Sequence, residues 1–486
     1  MHNKVQLITY VDRLGGGNLA ALQSLLDGSL KGVFGGVHLL PFFHPIDGAD
    51  AGFDPIDHTQ VDARLGGWAD IKKLSATQPV MADVIVNHMS CDSPQFMDWS
   101  ARGETSKFRD LFLTLSTVFP DGATEEALLT VYRPRPGLPL TYATLANGEK
   151  KILWTTFTAK QIDIDVESAS GARYLDSILD TLASAGVTLI RIDAVGYAIK
   201  RAGRDSFMMP ETFAFIDEFA SRARARGLEV LVEVHSYFQK QIEIAARVDW
   251  VYDFALPPLV LHALFNGTPE ALARWIAIRP TNAVTVLDTH DGIGIIDIGA
   301  DATDRENRPG LVSPKELVEL VDTIHRNSGE QSREATGAAA SNLDLYQVNC
   351  TFYDALGRDD NAYLIARAMQ FFLPGIPQVY YVGLLAGEND MNLLEKTGVG
   401  RDINRRYYTE AEVATALQKP VVQSLIALIR LRNSHPAFGG SFSYKTHSST
   451  LELSWIAGKA GTDFALLTVD FSAREYTIAH SGYSGA

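Results

Sequence analysis

The chain has 486 residues, of which 46% are hydrophobic, and a formal net charge of -15 at pH 7. These values predict a globular protein with a large buried core, and the negative charge, with no dense Lys/Arg stripe to reverse it, argues against a nucleic-acid partner. No apolar stretch reaches the roughly 18 residues needed to span a bilayer, and residues 1–10 lack a secretory apolar region, so we expect no membrane partner and a cytoplasmic location. Cys91 and Cys350 are the only cysteines, which argues against a disulfide framework and a cysteine-based zinc site.

Short β-rich runs alternate with longer amphipathic stretches, which is typical of parallel strands joined by crossover helices. Two predicted helices are 171–185 and 212–226, the second with Phe213, Ile216 and Phe219 on one face. Eight β-rich runs predict a (β/α)8 TIM barrel of the α/β class. The predicted strands are 5–10, 36–40, 80–86, 187–193, 228–234, 250–254, 283–287 and 378–382.

Two gaps between predicted strands are too long for simple connections and contain Pro, Gly and polar clusters. Residues 87–167 follow the third strand and residues 292–357 follow the seventh, so both are predicted as loop-rich insertions over the active face. The catalytic barrel is then formed by residues 1–86, 168–291 and 358–438. Short alternating segments predict a small C-terminal β domain over 439–486.

Three acidic residues come at the ends of apolar, β-rich runs: Asp193, Glu233 and Asp291. Barrel enzymes carry their reacting groups at the C-terminal ends of the strands, where a carboxylate after a buried run is costly to desolvate. One such acid alone is equally well explained as a helix cap or a solvated loop carboxylate. Three with the same placement indicate one active site.

The neighbours of these acids suggest separate roles. Arg191 lies two residues before Asp193 on the same strand, so the two side chains share a face and the guanidinium is expected to keep the carboxylate ionised as a nucleophile. Glu233 ends a run of Val and Leu, a setting that suits a general acid. An acid and a nucleophile are the pair required for glycoside cleavage with retention. His290 beside Asp291 offers a donor and an acceptor for adjacent sugar hydroxyls.

Four segments carry a family resemblance: 83–88 (DVIVNH), 190–193 (IRID), 229–233 (EVLVE) and 286–291 (VLDTHD) resemble, in order, the four sequence regions of the α-amylase superfamily. Within that superfamily the chain resembles the sucrose phosphorylases, through 47–58, 132–139, 339–347 and 400–405. The likeness runs from the N-terminus to about residue 440. Beyond that point we expect it to fade, with a shortened last domain.

The resemblance implies a hexosyltransferase that converts sucrose and phosphate reversibly to α-D-glucose 1-phosphate and D-fructose, without a cofactor. It implies Asp193 as nucleophile, Glu233 as general acid/base and Asp291 as transition-state stabiliser. It also implies a homodimer. The residues implied to hold the glucosyl unit are Asp50, Phe53, His88, Arg191, Tyr197, His290 and Arg401. Those implied to serve fructose and phosphate are Tyr132, Arg135, His235, Asp344, Tyr346 and Gln347.

Other readings stay open at this stage. Phosphorolysis of sucrose 6-phosphate or glucosylglycerol, and simple hydrolysis, need the same three acids. Segments 133–135 and 343–347 follow the sucrose pattern, and 343–347 contains no additional basic residue to hold a sugar phosphate. A non-catalytic binding module is disfavoured because all three acids are present, although fold alone never establishes activity. Asn87 matches a calcium position of many amylases, but with no carboxylate cluster around it we predict no metal.

Overall fold

The computed structural model describes residues 1–48, 50–133, 137–339 and 346–482, and its central feature is a closed barrel of eight parallel strands. Around the barrel the strands follow chain order, as right-handed β-α-β crossovers require. The TIM-barrel prediction is confirmed. The strands of the described residues are β1 (Gln6–Thr9), β2 (Val37–Leu39), β3 (Phe43–His44), β4 (Asp57–Val61), β5 (Val80–Ile85), β6 (His88–Ser90), β7 (Leu140–Thr144), β8 (Lys150–Trp154), β9 (Gln161–Asp163), β10 (Leu189–Asp193), β11 (Glu229–Val232), β12 (Trp250–Asp253), β13 (Ala283–Thr285), β14 (Ile293–Gly294), β15 (Gln347–Val348), β16 (Ile376–Tyr380), β17 (Ser441–His447), β18 (Thr450–Ala457), β19 (Asp463–Asp470) and β20 (Glu475–His480).

The barrel order is β1, β2, β5, β10, β11, β12, β13 and β16, with β16 pairing back onto β1. All five residues of β16 are buried, and Tyr381 and Val382, predicted as its end, instead begin a short helix. The apolar run continues through the strand and into the helix, so hydrophobicity alone cannot mark the boundary.

Helices join the strands and cover the barrel. The two helices expected at 171–185 and 212–226 are present, each starting two residues earlier, because Ser168 caps one and Pro210 opens the other. The helices are α1 (Leu19–Asp27), α2 (Trp68–Ser75), α3 (Pro94–Arg102), α4 (Leu115–Val118), α5 (Glu125–Thr130), α6 (Ala169–Ser184), α7 (Pro210–Arg224), α8 (Phe238–Ala245), α9 (Leu256–Asn266), α10 (Glu270–Ile278), α11 (Pro314–Asn327), α12 (Gln331–Ala339), α13 (Phe352–Ala355), α14 (Asp360–Phe372), α15 (Tyr381–Leu384), α16 (Met391–Thr397), α17 (Glu410–Ala416) and α18 (Pro420–Ser434).

The inside of the barrel changes from apolar to polar towards the active face. Its apolar part contains Met81, Leu189, Leu231 and Val284. A chain of hydrogen bonds then runs from Tyr252, whose hydroxyl contacts His38 Nδ1 at 3.4 Å, through His38 Nε2 to Asp83 at 3.1 Å and from Asp83 to Arg191 at 2.6 Å. Buried polar groups need such partners. This series of hydrogen bonds holds Arg191 from the side of the apolar barrel interior.

The two regions predicted as insertions contain regular structure as well as loops. Residues 87–167 include α3 to α5, the β7–β8 hairpin and the β6–β9 pair. Residues 292–357 include the fourteen-residue helix α11, with α12, α13 and the β14–β15 pair. Both regions leave the barrel at the C-terminal ends of its strands, so they lie beside the active face and can form its sides.

The C-terminal segment folds as a four-stranded antiparallel sheet in the order β17-β18-β19-β20, so the predicted small β domain is confirmed. Its inner face buries Leu451, Leu453, Leu467 and Val469. Trp455 Nε1 donates to the carbonyl of Phe372 at the end of α14, at 2.6 Å, and so ties the sheet to the barrel. Within the ranges listed above, no helix has both the length and the apolar character needed to cross a membrane.

Candidate active site

The three predicted acids meet at the C-terminal face of the barrel. Asp193 is the last residue of β10, and Glu233 directly follows β11. Asp291 is less close to its strand than the sequence pattern predicts, because β13 ends at Thr285 and the chain continues through an irregular buried segment before reaching it. Strand ends therefore position two of the acids, and the segment after β13 positions the third.

Arg191 joins the acids. Its Nη1 donates to Asp193 Oδ1 at 2.8 Å and to Asp83 Oδ1 at 2.6 Å, and its Nη2 lies 3.9 Å from Glu233 Oε2. The side chain is 2% exposed. Because a guanidinium is a rigid planar fork, it fixes the direction of the Asp193 carboxylate as well as its charge environment.

The charge state of Asp193 is set by opposing effects. Burial raises the pKa of the Asp193 carboxyl, Arg191 lowers it, and the neighbouring carboxylates of Glu233, Asp83 and Asp291 raise it again. The net shift is upward, so the expectation that Arg191 by itself keeps Asp193 ionised is wrong. Arg191 opposes this upward shift without cancelling it.

Asp291 has the opposite balance. Burial alone would raise the pKa of its carboxyl, but the Arg401 guanidinium, with Nη1 at 2.9 Å from Asp291 Oδ1, and the nearby His290, His235 and Arg191 hold the pKa well below its usual range. Burial lowers the pKa of His290 from 6.5 to about 3, despite the adjacent Asp291. Asp291 is thus a fixed anion beside a neutral imidazole that can share hydrogen bonds with sugar hydroxyls.

An ion-pair cluster lies beside Asp291 on the side assigned to the glucosyl unit. Asp50 Oδ2 lies 3.3 Å from Arg401 Nη1, and Asp50 Oδ1 lies 3.1 Å from Arg405 Nη2. Arg405 is fully buried and also donates from Nε to the carbonyl of His290 at 2.9 Å. Arg405 ends the 400–405 segment but is not among the residues predicted from the sequence. Because two guanidinium groups pair with the Asp50 carboxylate, their N–H donors and its acceptor oxygens are held in fixed positions.

Aromatic rings form the walls of this site. Phe53 stacks on His290 with centroids 4.7 Å apart and planes at 8°, and its carbonyl contacts His88 Nε2 at 3.0 Å. Tyr197 packs edge-on against Phe157 at 5.2 Å. Burial lowers the pKa of His88, which is therefore a neutral group like His290. A neutral histidine among aromatic rings suits recognition of an uncharged sugar.

The predicted acceptor residues are partly brought together. Tyr132 extends the aromatic wall by stacking on Phe207 at 4.5 Å, and the edge of Tyr346 faces the ring of His235 at 5.5 Å. Gln347 Oε1 accepts from Arg401 Nη2 at 3.4 Å, which connects the acceptor side to the glucosyl side. Arg135 and Asp344, also predicted here, lie outside the described residues.

Donor atoms of Glu233, His235 and Asp291 lie within 4.8 Å of one another, close enough to surround a metal ion. Arg401 already places a guanidinium 2.9 Å from Asp291, and Arg191 places another 3.9 Å from Glu233. A divalent ion between these residues would be repelled by both guanidinium groups. These surroundings disfavour a metal ion, and the absence of a metal stays a prediction.

Lys200 places a buried positive charge beside Asn87. Lys200 Nζ donates to Asn87 Oδ1 at 2.6 Å and to the carbonyl of Tyr197 at 2.5 Å, and it pairs with Asp163 Oδ2 at 2.5 Å. The ammonium is buried among these oxygens. It joins β9 of the first insertion to the segment that follows Asp193.

Comparison with known proteins fits this geometry. Residues 13–250 match the α-amylase catalytic domain family. Over 492 aligned residues, covering 100% of both chains, the protein is 60% identical to the sucrose phosphorylase of Agrobacterium vitis. The chain belongs to the sucrose phosphorylase family. A second sucrose phosphorylase, from Bifidobacterium adolescentis, is 57% identical over 97% of this chain and 92% of its own.

The structural comparison extends the same relationship. The crystal structure of the sucrose 6F-phosphate phosphorylase from Thermoanaerobacter thermosaccharolyticum matches with a TM-score of 0.90 at 38% identity, over 100% of this chain and 97% of that one. Similarity to the Agrobacterium vitis member of the sucrose phosphorylase family reaches the ends of both chains. The expectation that the likeness fades past residue 440 is therefore wrong.

Proposed function

We propose that this protein is a sucrose phosphorylase, which transfers the glucosyl unit of sucrose to inorganic phosphate and releases D-fructose and α-D-glucose 1-phosphate. The observation that carries the proposal is the contact of one buried guanidinium, Arg191, with both Asp193 and Glu233. Together with the full-length similarity to sucrose phosphorylases, it supports a nucleophile and an acid/base on either side of one glycosidic bond.

In the first step Glu233 gives its proton to the glycosidic oxygen while Asp193 attacks the anomeric carbon and fructose leaves. The distances support this division of roles. Arg191 Nη1 is 2.8 Å from Asp193, whereas Arg191 approaches Glu233 no closer than 3.9 Å. The guanidinium therefore stabilises negative charge more strongly on Asp193, as the role of nucleophile requires, than on Glu233.

In the second step phosphate enters the place that fructose has left. It loses a proton to the Glu233 carboxylate and attacks the β-glucosyl-enzyme, which restores Asp193 and gives the α-configured phosphate ester. Two successive inversions at the anomeric carbon amount to retention. The reaction is reversible because each step exchanges one ester or acetal bond for another.

Asp291 and its partners act on the charge that develops between these steps. The transition state has oxocarbenium character, and the low pKa of the Asp291 carboxyl keeps an anion beside the sugar throughout. Arg401 and Asp50 lie next to it and are placed to grip hydroxyls of the glucosyl unit.

A phosphate that approaches three carboxylates needs a local cation. By family likeness we assign this role to Arg135, together with Asp344 and Tyr346. Replacing Arg135 with alanine is expected to weaken phosphate use more than glucosyl-enzyme formation. Equal loss in both steps would refute this role for Arg135.

Related activities are distinguished by the acceptor and leaving group. The two sucrose phosphorylases are 60% and 57% identical to this chain, whereas the sucrose 6F-phosphate enzyme is 38% identical, which favours unmodified sucrose. Purified protein should be incubated with sucrose, sucrose 6-phosphate or glucosylglycerol, with and without phosphate, beside an Asp193→Asn control. We expect glucose 1-phosphate from sucrose and phosphate only. Free glucose independent of phosphate would indicate a hydrolase, and no product a binding module.

The homodimer and the cytoplasmic location stay predictions. Size-exclusion chromatography with light scattering tests the first, with one species of twice the chain mass expected. A single species at the chain mass of 53.2 kDa would contradict it. Fractionation of the source cells tests the second.

A further inference from the structure

His235 is the imidazole nearest to the proposed acid/base, and its two nitrogens have different surroundings. Nδ1 lies 2.8 Å from Asp297 Oδ2. Nε2 is buried, lies 3.9 Å from Glu233 Oε1 and has no hydrogen-bond partner among the described residues. The ring stacks on Phe254 with centroids 3.8 Å apart. One nitrogen is therefore anchored, and the other is directed towards the acceptor side of Glu233.

Asp297 is a fully buried carboxylate held in one orientation. Besides His235, it accepts from the backbone nitrogen of Ser236 at 3.2 Å and from Gln241 Nε2 at 3.0 Å. The packing around it is tight, because a Cβ on Gly294 would lie 2.1 Å from Asp297 Oδ2 and 3.0 Å from His235 Nδ1. Only glycine at position 294 lets the carboxylate and the imidazole meet.

This arrangement sets the charge of His235. Burial lowers the pKa of the imidazole, but Asp297, through its charge and its hydrogen bond, and the more distant Glu233 and Asp291 outweigh burial and raise it. Tyr346, whose ring edge faces His235, has a pKa that burial raises well above its usual value, so it stays a neutral phenol. His235 therefore favours the imidazolium form, with a proton on Nε2.

We propose that Asp297 is a positioning residue for phosphate: it holds His235 so that Nε2 presents a positively charged N–H donor beside Glu233, where the attacking phosphate must arrive. The inference rests on the proposed function and deepens it. A phosphate dianion gains from a cationic donor at this point, whereas water and the hydroxyls of fructose gain only a hydrogen bond. Asp297 thereby favours phosphate over water as the second acceptor.

The test is Asp297→Asn, which keeps the size and the acceptor oxygen of the side chain but removes its charge. We expect KM for phosphate to rise on the order of tenfold, as loss of one charge-assisted contact implies, while formation of the glucosyl-enzyme from sucrose stays within about threefold of native. The share of glucosyl-enzyme lost to water should rise. Gln241→Leu removes another partner of Asp297 without touching His235 and should leave KM for phosphate within about threefold.

The pH profile separates this role from a merely structural one. Because His235 must be protonated to bind phosphate in this way, kcat/KM for phosphate falls as pH rises through the pKa of His235. Asp297→Asn lowers that pKa, so the fall should begin at lower pH. Phosphate ionises identically with both enzymes, so the difference reports on the protein. In His235→Gln the further change Asp297→Asn should have little effect, since the group through which it acts is gone.

NMR of protein labelled with ¹⁵N-histidine makes the test independent of turnover. The His235 signal should titrate above the ordinary histidine range in native protein, move to lower pH in Asp297→Asn, and respond to inorganic phosphate in the native protein more than in the variant. An unchanged His235 titration, or a native KM for phosphate in Asp297→Asn, would overturn the inference. If the native protein released no glucose 1-phosphate while His235 still responded to phosphate, the proposed function would fail and the role of Asp297 in phosphate binding would stand.

Discussion

Replacing Arg405 with lysine tests the ion-pair cluster beside the glucosyl unit. Arg405 makes two charge-assisted hydrogen bonds from separate nitrogens, from Nε to the carbonyl of His290 at 2.9 Å and from Nη2 to Asp50 at 3.1 Å. A lysine keeps the positive charge but has one nitrogen, which can satisfy only one of these acceptors in the buried site. The variant therefore loses about one charge-assisted hydrogen bond.

Such a bond contributes about 1.5–3 kcal/mol, so kcat/KM for sucrose should fall roughly 10- to 150-fold, provided that the loss is felt in the transition state. The assay is the initial rate of glucose 1-phosphate formation at saturating phosphate, with thermal unfolding recorded for each protein. Arg406→Lys is the matched control, because Arg406 is 39% exposed and pairs with Glu412 at the surface. A kcat/KM for Arg405→Lys within about threefold of native would refute the role of the cluster.

Further predictions concern stability and ions. Lys200→Met should lower the free energy of unfolding in urea by about 3–5 kcal/mol, because it leaves the buried Asp163 carboxylate without its positive partner, and the exposed Lys160→Met should not. Burial lowers the pKa of both His58 and His290 from 6.5 to about 3. Between these two values the two histidines are protonated in the unfolded chain but neutral in the folded chain. Stability should therefore fall as pH drops below 6.5, by about 1.4 kcal/mol per pH unit for each histidine, and denaturation of His58→Gln should show a shallower slope. Dialysis against EDTA should leave phosphorolysis unchanged, and activity restored by calcium would contradict the role given to Lys200.

The barrel could be predicted well from the sequence because each buried strand is marked by residues adjacent in the chain. Buried parallel strands appear in the sequence as short apolar runs. All eight predicted barrel strands are present in the structure, in the expected order. The prediction failed where the chain keeps an apolar pattern across a change of structure, as at Tyr381, or where an irregular segment separates a residue from its strand, as at Asp291. Within 87–167 and 292–357 the short helices and the short strands leave little periodicity, whereas the fourteen-residue α11, capped by Ser313 and Glu316, was missed despite a recognisable signal.

The active site shows the same division. Asp193, Glu233 and Arg191 lie on or directly after strands, so their convergence followed from the barrel itself. Arg405 and Asp297 act through contacts with residues far away in the chain, with Asp50 and His235 respectively. Spacing along the chain carries no sign of such contacts. The charge states of the acids could not be predicted from the sequence either, since the pKa of Asp193 depends on burial and on three other carboxylates as well as on Arg191.

The central claim is that a glucosyl unit passes through Asp193 to phosphate with retained configuration. The most direct measurement is to trap the intermediate with 5-fluoro-α-D-glucosyl fluoride, locate the label by mass spectrometry of a peptic digest, and then add phosphate to the intact labelled enzyme. We predict a label on Asp193 that phosphate releases as the α-configured glycosyl phosphate. A label on another residue, release that phosphate does not accelerate, or a β-configured product would contradict the account.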